Sequence, residues 1–326
     1  MDDQLARQVV ELAGQAPSVY NTQPWRWQFR DRALDLYADR TRQLTGLDPA
    51  GRQLVLSCGA ALELARLGIR ALGWSCAVEL LPDPADTDHL ARLAAGPPLP
   101  PTKDELALAR EIGRRQTVRD RFDPVPLTPA AHTALELSAG GDGTWLHWIE
   151  SPAQQVALAV LTDRAERIEQ ADPAVRADLA RWRRFTDVAT DGITPGTLPE
   201  TAPAQRATAV PLRDFGIDVE DRPDADPQRL PLPPERPDLV VLGTRYDGPA
   251  SWLQAGQALA RVLLRATELD IVTSPVGQAL DLPWTRRQLR LQLGLTGHPQ
   301  MVLRLGHART SAGRSPRRPI DEILSA

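Results

Sequence analysis

Ala16-Pro17-Ser18-Val19-Tyr20-Asn21-Thr22-Gln23-Pro24-Trp25-Arg26-Trp27 brings a helix, a polar loop and a strand together in one short stretch. Before it, Leu5, Val9, Leu12 and Ala13 recur at helical spacing, and Pro17 ends that helix because it lacks a donor and clashes with the preceding turn. After it, Trp25, Trp27 and Phe29 alternate with polar residues, the pattern of a half-buried strand. Ser18, Asn21 and Gln23 lie between. Their short polar side chains suit the hydrogen-bonding edge of a flat heterocycle, and they equally suit a loop capped by Asx turns.

The chain has 326 residues, 42% of them hydrophobic and 25% charged, enough for a large core in one big or two ordinary domains. A formal net charge of -4 argues against a nucleic-acid or anionic-membrane surface and for small-molecule partners. No stretch approaches the roughly 20 apolar residues that span a bilayer, and the acidic start Met1-Asp2-Asp3 is not a signal peptide, so a cytoplasmic protein is expected. Cys58 and Cys76 sit in apolar patterns as buried small hydrophobes, and the five histidines show no metal-ligand spacing; no metal site is expected.

Past the opening corner, Asp31-Arg32 reads as a turn that returns the strand through Leu34 to Tyr37, forming a hairpin. Asp48-Pro49-Ala50-Gly51 starts a long apolar helix from about Gln53 to Leu72, which Gly73 stops. Short strands follow at Ala77–Leu81 and His89–Ala94. The run Gly96-Pro97-Pro98-Leu99-Pro100-Pro101 is polyproline-like, excluded from helix or central strand, and connects two units, residues 1–101 and 102–326. Beyond it the order of elements partly repeats, with helices at Glu105–Ile112 and Pro129–Ser138, a strand at Trp145–Ile149 and a long helix from Ser251 to Leu269. Gly59-Ala60-Ala61-Leu62 lies over Gly256-Gln257-Ala258-Leu259 in that comparison, a signal of close helix packing and of duplication. From about 186 to 236 the pattern dissolves into prolines, glycines and alternating charges, too long for an ordinary connection and read as a lid over a site.

Two compact cationic clusters stand out in an acidic protein: Arg114-Arg115-Gln116-Thr117-Val118-Arg119 and Arg314-Ser315-Pro316-Arg317-Arg318. Brought together, their guanidinium groups would form a phosphate seat; apart, each is a solvated charge run. In Thr273-Ser274-Pro275-Val276-Gly277-Gln278, which follows a strand at Ile271, Pro275-Val276-Gly277 reads by itself as a strand-to-helix turn.

The run A-P-S-x-x-N-x-Q-P-W resembles the flavin-contacting loop of the nitroreductase-like flavoproteins, in particular the internally duplicated Acg-type branch. The resemblance implies an α+β fold, tandem-duplicated so that one chain mimics the usual homodimer, with further dimerisation left open. It implies FMN as cofactor, held by Pro17, Ser18 and Asn21 at the ring and by Arg115, Thr117, Arg119 and a C-terminal arginine at the phosphate. Arg317 is that arginine, with Arg314 and Arg318 as alternatives. Pro275, Val276 and Gly277 would pass beside the ring, where relatives carry an acidic residue that this stretch lacks. The first half holds the asparagine loop and the second half the arginines, so one complete site is expected. Activity would be electron transfer from NAD(P)H through FMN to a small-molecule acceptor such as a nitroaromatic or quinone, with no catalytic side chain needed; the alternative is a non-catalytic, flavin-sequestering stress protein.

Overall fold

Asp31 and Arg32 both adopt left-handed conformations (φ 51° and 60°), the two-residue turn whose twist matches a β-hairpin, and the expected hairpin forms around them. It joins β1 (Trp25–Arg30) to β2 (Ala33–Ala38) after α1 (Asp3–Ala13). The computed structural model describes residues 1–141, 143–186, 188–198, 208, 210–213, 215, 235–308 and 313–325. Much of the expected lid, including the Leu230–Pro234 run, lies outside them.

The long helix α2 (Arg52–Ala71) begins where Asp48 Oδ2 accepts from the Leu54 amide at 2.9 Å, and ends where Gly73 turns left-handed (φ 89°). It is followed by β3 (Trp74–Leu80) and β4 (His89–Pro98). Here Pro97 and Pro98 do belong to a strand, contrary to the expectation of a bare linker. The reason is positional: β4 last pairs with β2 at Ala94, so neither proline is asked to donate on that side. After β4 the chain runs through α3 (Lys103–Glu111), α4 (Pro129–Ala139), β5 (Thr144–Trp148), α5 (Pro152–Ala171) and α6 (Pro173–Trp182). Then come β6 (Asp238–Thr244), α7 (Pro249–Glu268), β7 (Val272–Val276), α8 (Gln278–Asp281), α9 (Pro283–Gln292), β8 (His298–Gly306), α10 (Ile320–Ile323) and β9 (Leu324–Ser325). No element was expected over α5 and α6. α5 leaves Val156, Val160 and Ile168 exposed, so its apolar residues mark no single face.

The architecture is α+β. One sheet has the order β3-β4-β2-β1-β9, antiparallel except for the β1–β9 pair, and the other is the antiparallel β5-β6-β8-β7. β9 lies near the C-terminus, so that segment crosses over to pair with β1 and extend the sheet formed by residues 25–98. α2 and α7 pack against each other between the sheets, and one hydrophobic core forms on each side of them. Their crossing is reciprocal. A methyl group at Gly59 would stand 2.3 Å from the Leu253 carbonyl oxygen, and one at Gly256 would stand 2.0 Å from that of Leu56. Each glycine therefore meets the carbonyl three residues before the other, the signature of a local two-fold axis.

Candidate functional site

Three backbone strains mark the loop between α1 and β1: Tyr20, Asn21 and Gln23 all have positive φ (51°, 53° and 48°), which L-residues adopt at a cost of about 1–2 kcal/mol each. Side chains hold it there. Ser18 Oγ accepts from the Gln23 amide at 2.9 Å, Gln23 Oε1 accepts from the Arg318 amide at 2.9 Å, and Gln23 Nε2 donates to the Thr190 carbonyl at 2.9 Å. Asn21 is engaged by the C-terminal segment, accepting from Arg317 Nη1 at 3.2 Å and donating to the Pro316 carbonyl at 3.1 Å. The polar side chains thus tie the loop to itself through Ser18 and to the C-terminal segment through Asn21 and Gln23.

A pocket opens beside this loop. It is lined by Pro17, Ser18 and Tyr20 of the loop, by Gln53, Leu56 and Ser57 of α2 and Leu259 of α7, and by Thr117, Arg119, Pro275, Gly277 and Met301. Two of the sequence motifs meet by backbone pairing, since the Val118 amide donates to the Thr273 carbonyl at 2.9 Å beside a Thr117–Thr273 bridge. Pro275 and Val276 end the strand rather than turn, and the turn into the next helix comes at Gly277. Of the candidate residues, Asn21, Arg115, Val276, Arg314 and Arg317 do not line the pocket. Val276 is buried in the neighbouring core, and Arg314 is exposed.

Arg115, Arg119 and Arg317 converge behind the Thr117 end. Arg115 is buried, its Nε and Nη1 have no hydrogen-bond partner, and Arg317 Nε is likewise buried and unpartnered. Burial, with the Arg119 charge added, lowers the Arg115 guanidinium to about 10; burial alone lowers Arg119 to about 10; burial and the Arg115 charge lower Arg317 to about 9. Among the described residues no carboxylate pairs with any of the three; Arg119 donates to the Thr197 carbonyl, and Arg317 donates to Asn21 Oδ1 and to the Gln15, Ser315 and Pro316 carbonyls, all neutral oxygens. Buried cations without counterions are costly, and their shared cost is relieved by an anion. Arg318 instead binds Gln23 and Glu322, which leaves Arg317 as the C-terminal arginine of this nest.

A second charged cluster was not foreseen. Arg213 reaches into the pocket and donates to Glu169 Oε2 at 2.5 Å, Asp281 Oδ2 at 2.6 Å and the Tyr20 hydroxyl at 3.2 Å, while Phe215 packs edge-on against Tyr20 at 6.0 Å. Asp281 stands beside Gly277, so a carboxylate does occupy this part of the pocket, four residues beyond the stretch that lacks one. Burial raises both Asp281 and Glu169 above the usual carboxylate range, and the Arg213 charge opposes that rise.

No family model matches the chain. Single relatives do. Rv3131 of Mycobacterium tuberculosis, provisionally named an NAD(P)H nitroreductase, is 32% identical over 99% of this chain and 92% of its own length. The protein named acg from the same organism, also provisionally an NAD(P)H nitroreductase, is 30% identical over 98% of this chain and 94% of its own. Among solved structures, the FMN-dependent nitroreductase NfnB of Mycobacterium smegmatis, in complex with NADPH, aligns with 66% of this chain and 96% of its own at 20% identity and a TM-score of 0.39. Among the described residues no helix is long and apolar enough to cross a membrane.

Proposed function

The chain belongs to the nitroreductase family, with Acg-type relatives, and from that premise we propose that it binds FMN in this pocket and passes electrons from NAD(P)H to a small electrophilic acceptor. The observation that carries the reading is the nest of Arg115, Arg119 and Arg317, which lacks any described carboxylate partner and in which Arg115 Nε and Nη1 and Arg317 Nε are buried without an acceptor. A phosphate dianion would supply those acceptors in the bidentate geometry guanidinium groups favour. Leu56, Leu259 and Met301 offer apolar walls for a planar ring between the nest and Asp281. These features support the reading at the phosphate and at the ring.

When bound, FMN supplies the hydride and electron chemistry. The chain's own residues hold, orient and enclose it: the arginines fix the phosphate, Pro17, Ser18 and Gly277 flank the ring position, and Asn21 positions Arg317. The loop comes from the first unit and two of the arginines from the segment after α3, so one chain does what two subunits do in a paired arrangement. The reciprocal Gly59–Gly256 crossing supports that duplication. In the second unit the corresponding stretch, Ala139 to Trp145, carries no asparagine loop, so a single site forms.

One observation favours sequestration instead. Arg213 and Phe215 belong to the insertion and line the pocket, and Gly192 and Thr197 contact Asn21 and Arg119. Reading these segments as a cover, a hydride donor would be kept from the roughly 3–3.5 Å approach that transfer needs. Anaerobic addition of NADPH and then NADH to the FMN-saturated protein decides between them. Rapid bleaching of the flavin band supports the oxidoreductase; bound flavin that neither donor bleaches supports storage; absence of bound flavin overturns both.

A further inference from the structure

Arg213 already has two carboxylate partners, Glu169 and Asp281, and it lines the pocket. Asp281 Oδ2 would lie 3.4 Å from a methyl group at Gly277, and its Oδ1 accepts from Gln53 Nε2, with Arg52 Nη2 at 3.8 Å. Its side chain and that of Glu169 are 1% and 3% exposed, and Arg213 bridges them. Two guanidinium groups, Arg52 and Arg213, thus face two carboxylates in a site with little water to screen them. With all four ionised the group is neutral.

We propose that Arg213 and Asp281 set the redox potential of the bound flavin by balancing each other's charge against the pocket wall beside Gly277. The proposal rests on the FMN reading above. Hydride delivery from NAD(P)H, which leaves NAD(P)+, adds one negative charge to the ring system when N1 takes no further proton. That charge is felt strongly at an effective dielectric far below that of water. An Asp281 stripped of Arg213 opposes it as long as the carboxylate stays ionised, which the Arg52 charge 3.8 Å away favours. An Arg213 without Asp281 attracts it.

The test is the midpoint potential of the FMN-loaded protein, titrated anaerobically against a reference dye, for the parent, Arg213→Gln, Asp281→Asn and the double variant. Arg213→Gln is expected to shift the preference for reduced over oxidised FMN down by about tenfold, about 30 mV lower for a two-electron couple. Asp281→Asn is expected to shift it up by a similar factor, and the double variant to return near the parent. A looser pocket would not give opposite signs. Unchanged potentials, or shifts of the same sign in both single variants, overturn the proposal; if Arg213→Gln does not fold, an unchanged or lowered potential in Asp281→Asn does so alone. Failure of the parent to bind FMN overturns the functional reading instead.

Discussion

Replacing Arg115 by methionine is expected to weaken FMN binding by about a hundredfold or more while leaving the empty protein at least as stable as the parent. The two effects have one origin. In the empty protein Arg115 is a buried cation whose Nε and Nη1 have no acceptor and whose described neighbours include two further cations. Replacing it with an apolar side chain of similar length deletes an uncompensated buried charge, whose desolvation costs the empty protein several kcal/mol. With FMN bound, the same guanidinium would make hydrogen bonds to a phosphate dianion, each worth about 1.5–3 kcal/mol, and two such bonds correspond to roughly a hundredfold to ten-thousandfold in affinity. Fluorescence titration with FMN and thermal unfolding of the empty protein read the two effects separately. Unaltered affinity with lowered stability would identify Arg115 as a structural pin.

The second large effect is expected at the helix crossing. Gly256→Ala should cost about 4 kcal/mol or more, near the extreme for a single substitution. The added methyl would meet the Leu56 carbonyl oxygen at 2.0 Å, the Ala60 nitrogen at 2.8 Å and the Gly59 α-carbon at 2.8 Å. All three are backbone atoms of α2, so no rotamer change relieves the contact and the helices must separate. Separation would also disturb the pocket, because Leu56 and Leu259 are among its lining residues. Urea unfolding measures the loss. Gly113→Ala serves as the control, since a methyl there meets nothing within 4 Å, and it should change stability by less than about 1 kcal/mol. Equal stability of the two variants would contradict the packing described.

Much of the site was legible because its chemistry is local. The polar loop, the two arginine clusters and the paired glycines each announce themselves within a few residues, and the fold brings the first three together and sets the glycines against each other. The choice among C-terminal arginines was not legible, because Arg314, Arg317 and Arg318 differ only in direction: outward, toward Arg115, and toward Gln23. Asn21 was read as a ring contact, and its amide is spent on Arg317 and Pro316. Arg213 was hidden altogether. It lies in a proline-rich insertion without periodicity, and its carboxylate partners Glu169 and Asp281 stand 44 and 68 residues away along the chain. α5 escaped notice for the opposite reason, since its exposed valines blur the apolar stripe that betrays most surface helices.

The central claim is that the arginine nest receives a phosphate, and calorimetric titration of the parent protein with FMN and with riboflavin tests it most directly. The two ligands share the isoalloxazine ring and differ by the phosphate alone. FMN is expected to bind about a thousandfold more tightly, the equivalent of roughly 4 kcal/mol drawn from charge-assisted hydrogen bonds, with the gap narrowing sharply in Arg115→Met. Riboflavin binding as tightly as FMN would contradict the account.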